Sequence, residues 1–186
     1  MDQFERRQEK LAGIVNWRST TVVVGTVSAL LVVLDQVTKT EATRRLGPQA
    51  GSDRYDLLGD ALGFEFVRNT GVAFGLMQGR PWLVSVMAIC VLLAFLAAFW
   101  RDLPRHRLLQ FAVGAILGGA LGNLIDRFRL GYVVDFIAVG SFPRFNIADS
   151  AVTIGLVLLV WFLLQTEQPG ASSKQNAYGN DEHDFG

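Results

Sequence analysis

Four long stretches of this chain, residues 19–34, 81–100, 108–125 and 150–166, contain no Asp, Glu, Lys or Arg. A helix crossing the hydrocarbon core of a bilayer needs about 20 mostly apolar residues, within a range of roughly 17 to 25. The second stretch reaches that length outright. The third and fourth reach it with a residue or two at their ends, and the first does so when extended to Thr38, which brings in Asp35. A soluble core helix would show polar residues at every third or fourth position, and these stretches do not. The pattern predicts an all-α membrane protein, a bundle of four spans at about 19–38, 81–100, 108–126 and 149–166. Charged residues are only 18% of the 186, against about 25% in an ordinary soluble domain. Seventeen Lys and Arg balance seventeen Asp and Glu, so no field points to a nucleic acid partner.

Arg6, Arg7 and Lys10 precede the first stretch as they would in a cleaved signal peptide, but no small-x-small site follows Leu34, and a retained helix is expected. Trp17, Trp82 and Trp100 fall at span ends, the level Trp prefers. An even number of spans puts both termini on one side. Basic residues tie at eight on that side and nine on the other, so the positive-inside rule does not decide over the whole chain. The compact connection Arg101-Asp-Leu-Pro-Arg-His-Arg107 leans toward the cytoplasm, which places both termini there and the two long connections, 39–80 and 127–148, outside. Residues 62–69 alternate, with Phe64, Phe66 and Arg68 on one face, and residues 132–139 are β-branched and aromatic. Two strands, forming a small sheet on the outer face, are expected. Residues 167–186 read as a disordered cytoplasmic tail.

Ionisable residues at membrane depth are expensive and call for a reason. Asp126, Asp135 and Asp149 cluster at the outer ends of spans three and four, and Asp35 at the outer end of span one. Asn123 and Arg127 are four apart on one helix face, and Asn146 and Asp149 three apart. A bland reading makes these salt bridges and caps, with Asp149 capping span four. The sharper reading is a carboxylate pair sharing one proton: the ionised member takes a proton from water and the protonated one gives a proton to a leaving amine. That is peptide hydrolysis without a covalent intermediate. Three Lys and no Ser-x-x-Lys leave Ser–Lys chemistry without support. His106 lies away from the acids and His183 in the tail, so no metal site and no cofactor are expected. Cys90, mid-span, reads as core packing. Gly114, Gly118 and Gly122, with Gly119 beside them, would let another helix come close. The main rival is a proton-coupled carrier or small channel, and a third reading is an assembly protein without chemistry.

Five blocks stand in order: Asp35-Gln-Val-Thr-Lys39, Asn69-Thr-Gly-Val-Ala-Phe-Gly75, Gly118-Gly-Ala-Leu-Gly-Asn-Leu-Ile-Asp-Arg127, Val133-Val-Asp-Phe-Ile137 and Phe145-Asn-Ile-Ala-Asp-Ser150. Together they resemble the signature blocks of the bacterial lipoprotein signal peptidases, signal peptidase II. The resemblance implies a four-span aspartic endopeptidase of the bacterial plasma membrane with both termini cytoplasmic and its active site at the outer face. The implied substrate is a prolipoprotein already carrying a diacylglyceryl group on its lipobox cysteine, cut on the amino side of that cysteine. Membrane lipids surround the enzyme, the cyclic peptide globomycin is the implied inhibitor, and a monomer is expected. Carried over by position, the catalytic pair is Asp135 and Asp149, with Asp126 a structural acid beside Arg127. Asn123, Arg127 and Asn146 position the pair or the substrate. Asp35 and Lys39 fix the outer end of span one against the sheet, and Asn69 and Gly71 sit at the edge of that sheet.

Overall fold

The computed structural model describes residues 3–48, 54–71, 81–99 and 106–166. They form helices α1 (Gln3–Leu46), α2 (Pro81–Phe99), α3 (Arg107–Leu130) and α4 (Ile147–Thr166), and strands β1 (Arg54–Asp56), β2 (Leu62–Asn69) and β3 (Val133–Val139). Trp17–Leu46, Arg107–Leu130 and Ile147–Gln165 are long and apolar enough to cross a membrane, and α2 adds the shorter apolar run Trp82–Ala98. Burial is distributed as lipid demands rather than as water demands. Thr20, Ser28, Asp35, Lys39, Gln110, Asp126 and Asn146 are buried, while Leu30, Val33, Val91 and Val157 are more than half exposed. In lipid, polar groups turn to the bundle interior and apolar ones face outward without penalty.

The first helix is longer than the span assigned to it from the sequence. No Gly or Pro interrupts residues 38–46, and Glu41 pairs with Arg44 at 2.8 Å and with Arg45 one turn on. Gly47-Pro48 follows, the Gly47 N–H closing on the Thr43 carbonyl at 3.0 Å, and proline disfavours helix at the residue before it. Asp35 and Lys39 therefore lie within a continuous helix rather than at its end. The tail, Trp100 and residues 72–75 of the second block lie outside the described residues.

Glycines place α3 between α1 and α4. A Cβ on Gly118 would come within 2.9 Å of the Ser28 carbonyl, and one on Gly114 within 2.9 Å of Val27 Cβ. On the other side a Cβ on Gly119 would lie 2.3 Å from the Ala148 carbonyl, and one on Gly155 of α4 2.7 Å from Ile116 Cγ1. Backbones this close gain van der Waals contact that lipid tails cannot match. Ser28 Oγ donates to the Gly114 carbonyl at 2.9 Å and Gln110 Nε2 to Thr20 Oγ1 at 3.0 Å, so the few polar groups between helices are satisfied.

The sheet is antiparallel in the order β1-β2-β3. The sequence pattern shows β2 and β3 but not β1, whose three residues are too few for an alternation to register. Phe64 faces Ile137 and Val67 faces Asp135, so three residues of β2 span two of β3. Such a bulge breaks strict alternation. Phe64 and Phe66 pack with Ala42, Val134 and Phe136, beside α1. The Arg68 guanidinium lies 5.9 Å from the centre of the Phe66 ring, so these two meet as the alternation predicts. Cys90 is unlike its expectation: it is exposed on α2, where an apolar mid-span residue can face lipid as readily as protein.

Candidate active site

Asp135 and Asp149 are fourteen residues apart in sequence, and the chain between them is folded to bring them together. Gly131, at φ 78°, caps α3 in the left-handed region, its N–H meeting the Arg127 carbonyl at 3.1 Å, and the chain turns into β3. After β3, Gly140 (φ 46°) reverses the chain. Phe145 then bonds back to Ile137, receiving that residue's N–H at 2.8 Å, which sets Asn146 beside Asp135. The Asn146 side-chain oxygen accepts the Asp149 N–H at 2.9 Å while an Asp149 oxygen accepts the Asn146 N–H at 3.2 Å. This reciprocal pair is a capping box. Asn146 is thus the cap of α4, and Asp149 sits one turn in rather than capping the helix alone.

Two amides bridge the acids. Asn146 Nδ2 donates to Asp135 Oδ1 at 2.7 Å, and Asn123 Nδ2 donates to Asp149 Oδ1 at 2.8 Å. The bridges join where Asn146 Nδ2 meets Asn123 Oδ1 at 3.2 Å. The other Asp135 oxygen accepts from Asn69 Nδ2 at 2.9 Å, and Asn69 Oδ1 holds the Gly71 N–H at 3.0 Å. Asp135 is 2% exposed. Burial, then the charge of Asp149, pushes it up from 3.8 to about 7, against the Asn69 and Asn146 donors that favour its ionised form. It therefore keeps a proton across a range where an exposed carboxyl has lost it.

Behind this pair lies a second, buried set. Lys39 Nζ contacts Asp35 at 2.8 Å, Asp126 at 3.1 Å and Asn123 Oδ1 at 2.9 Å. Asp35 accepts the Ala148 N–H at 2.9 Å, and Asp126 the Val134 N–H at 3.0 Å. These residues do more than dock span one on the sheet: they tie α1 to α3, β3 and the start of α4. Asp126 is held by Lys39 and by Gln36 Nε2 at 2.9 Å, not by its neighbour Arg127, whose side chain turns the other way. Arg127 Nη2 reaches the Gly71 carbonyl at 3.2 Å, and its Nε is buried with no hydrogen-bond partner among the described residues.

Asn69, Gly71, Asn123, Arg127, Asp135 and Asp149 line one end of a cavity of about 1280 Å³. The rest of its wall is largely apolar: Val84, Met87, Val91 and Phe95 from α2, Ile116 and Ala120 from α3, Val152 and Leu156 from α4. Sequence reasoning missed several of its neighbours. Gln36, whose signal is a glutamine in an otherwise apolar helix, bridges Asp126 and the Gly122 carbonyl. Arg144, pairing with Glu65 at 2.7 Å, and Phe142 form part of the cavity rim through a loop whose path no local pattern reveals.

Two solved bacterial membrane enzymes share this fold. One superposes with a TM-score of 0.69 at 32% identity, over 79% of this chain and 92% of the other. The second does so with a TM-score of 0.60 at 30% identity, over 76% and 92%. Fold and site together define a membrane enzyme. Residues 27–165 match the profile of the family described as Signal peptidase (SPase) II, and the chain belongs to that family. Its relatives include the lipoprotein signal peptidase of Halothermothrix orenii, 37% identical over 76% of this chain and 94% of the relative. That of Shouchella clausii is 39% identical over 81% and 96%. Membership in a peptidase family gives no support to the carrier or channel reading.

Proposed function

We propose that this chain removes signal peptides from lipoprotein precursors as an aspartic endopeptidase, with Asp135 and Asp149 as its catalytic pair. The observation that carries the assignment is the joining of these two acids, from β3 and α4, through Asn146 and Asn123 at the polar end of an otherwise apolar cavity. A water between the acids gives a proton to ionised Asp149 as its oxygen bonds to the scissile carbonyl carbon. Protonated Asp135 then donates to the leaving amine as the C–N bond breaks, and proton exchange with solvent restores the pair. Asn123 and Asn146 hold the acids in register. Arg127, whose buried Nε has no partner among the described residues, offers a donor to the substrate's backbone, and Asn69 with Gly71 shapes the rim.

The substrate is a prolipoprotein whose lipobox cysteine carries a diacylglyceryl group, cut on the amino side of that cysteine. The apolar walls from α2 and α4 suit its signal helix and acyl chains. A globomycin-type cyclic peptide would compete for the same cavity. The enzyme works as a monomer in the bacterial plasma membrane. Its single peptidase domain covers residues 1–166, with both termini and the tail, 167–186, in the cytoplasm. Its acids lie at the outer face. Supporting this layout, Asp135 lies in β3 just past the end of α3 and Asp149 at the start of α4, while the His106 ring, at the opposite end of α3, lies 4.9 Å from that of Phe162 near the end of α4.

The test is cleavage of a lipid-modified prolipoprotein by purified Asp135→Asn and Asp149→Asn. An amide in place of Asp149 cannot take the proton from water, and one in place of Asp135 cannot give a proton to the leaving amine, so each substitution abolishes turnover while leaving the protein inserted. Near-normal turnover in either would end the assignment.

A further inference from the structure

We propose that Lys39 is a positioning residue for the cleavage: it locks together the two carboxylates that fix the backbone beside each acid of the pair. The inference rests on the reading of Asp135 and Asp149 as the catalytic acids. Asp126 accepts the N–H of Val134, the residue before Asp135, at 3.0 Å. Asp35 accepts the N–H of Ala148, the residue before Asp149, at 2.9 Å. The two anchors have the same form, although one holds a strand and the other the first turn of a helix. Lys39 Nζ spans them, at 2.8 Å from Asp35 and 3.1 Å from Asp126. Its third contact, at 2.9 Å, is Asn123 Oδ1, the oxygen that also receives Asn146 Nδ2. The three N–H bonds of one ammonium thus reach both backbone anchors and the amide bridge between the acids.

Packing alone does not call for this arrangement. One and two turns deeper, α1 and α3 meet through Gly118 and Gly114 with no ionised group between them. Burying three charges at 0%, 3% and 3% exposure is costly and stabilises a fold little better than apolar packing would. What the cluster supplies is register. Asp135 and Asp149 come from separate segments, and a pair sharing one proton and one water tolerates little change in its spacing; a misplacement of about 1 Å can lower a rate about 100-fold.

The full-length enzyme in detergent, assayed on a lipid-modified prolipoprotein, gives the test. Lys39→Met keeps the stem and removes all three donors. Its kcat is expected to fall about 10- to 100-fold with KM within about twofold of the wild type, because the cavity walls that bind substrate are untouched. Since Lys39→Met strands two buried carboxylates, its companion is the charge-free Asp35→Asn/Lys39→Met/Asp126→Asn variant. There each Asn oxygen can still accept the Ala148 or Val134 N–H, but nothing joins the two. This triple variant is expected to fold, by circular dichroism, and to show the same loss in kcat. Wild-type kcat in either variant would overturn the proposal. So would a triple variant that fails to fold, because the cluster would then serve the bundle rather than the chemistry. Asp135→Asn run alongside separates the two readings: activity surviving there sinks the dyad, whatever Lys39 does.

Discussion

The two sides of α3 are built differently. Toward α1 and α4 the helices approach closely, with glycines at 114, 118, 119 and 122 and no room for a methyl group. Toward α2, side chains of middling size line a cavity of about 1280 Å³. The closed side holds the buried set of Lys39, Asp35 and Asp126 that lies behind Asp135 and Asp149, and Asn69 and Asn123 meet the two acids at the polar end of the cavity. The open side is apolar and shape-tolerant, as a peptidase needs if its substrates share a lipid and a helix rather than a sequence. On the proposed assignment of Asp135 and Asp149, precision of the reacting groups and tolerance of the substrate are thus separated across a single helix.

If the open side serves to hold the substrate's lipid at the depth of the acids, lipid contributes through positioning more than through affinity, since an acyl chain leaves one apolar phase for another. A prolipoprotein lacking the diacylglyceryl group should be cut about 100-fold more slowly, even at saturation. Equal turnover of matched lipidated and unlipidated substrates in the same micelles would break this half of the comparison. The closed side is probed by Gly119→Val. Its Cβ would fall 2.3 Å from the Ala148 carbonyl, an overpacking expected to cost about 1–3 kcal/mol in thermal unfolding. Val91→Ala, on the cavity wall at 68% exposure, should cost about 0.5 kcal/mol or less. Similar melting of the two variants would show that the asymmetry is not energetic.

Asp126→Asn separates holding from reacting. Its oxygen can still accept the Val134 N–H, so turnover should fall less than about tenfold, with the larger loss in yield or melting temperature. Complete inactivity in a well-folded Asp126→Asn protein would move chemistry onto this acid. The smallest effect concerns pH. Asp135, raised to about 7, keeps its proton below that value, so kcat/KM should decline as pH climbs through about 7. Because its folded value lies above 3.8, the stability it contributes is complete below about 4 and lost over the same climb through 7. Asn69 donates to Asp135 and favours the ionised form, so Asn69→Ala should carry the alkaline limb to higher pH. A limb that stays put or moves down would show that another group sets it.

Much of this was readable in the chain, for identifiable reasons. A membrane span is written in composition over some 20 residues, so helices α1 to α4 are visible as charge-free runs. The glycine spacing announces the closed side of α3 before its partners are known. The bulge in β2 is not readable, because one extra residue leaves no mark on local composition. The exposure of Cys90 is not readable either, because mid-span position does not say whether a residue faces protein or lipid. Asp135 and Asp149 could be preferred over Asp126 only by resemblance; spacing treats the three alike. Their difference in the structure lies in partners: Asp126 is enclosed by Lys39, Gln36 and Val134, whereas Asp135 and Asp149 face the cavity.

Two acids that share one proton act as a unit, and a unit can be tested by asking whether its losses add. Turnover of a lipid-modified prolipoprotein should be measured for Asp135→Asn, Asp149→Asn and the double variant, purified into one detergent and compared with the uncatalysed rate. A dyad requires each single variant to be inactive and the double variant to be no worse than either. Substantial turnover in one single variant, or a double variant slower than both by the product of their losses, would show that Asp135 and Asp149 do not share the chemistry.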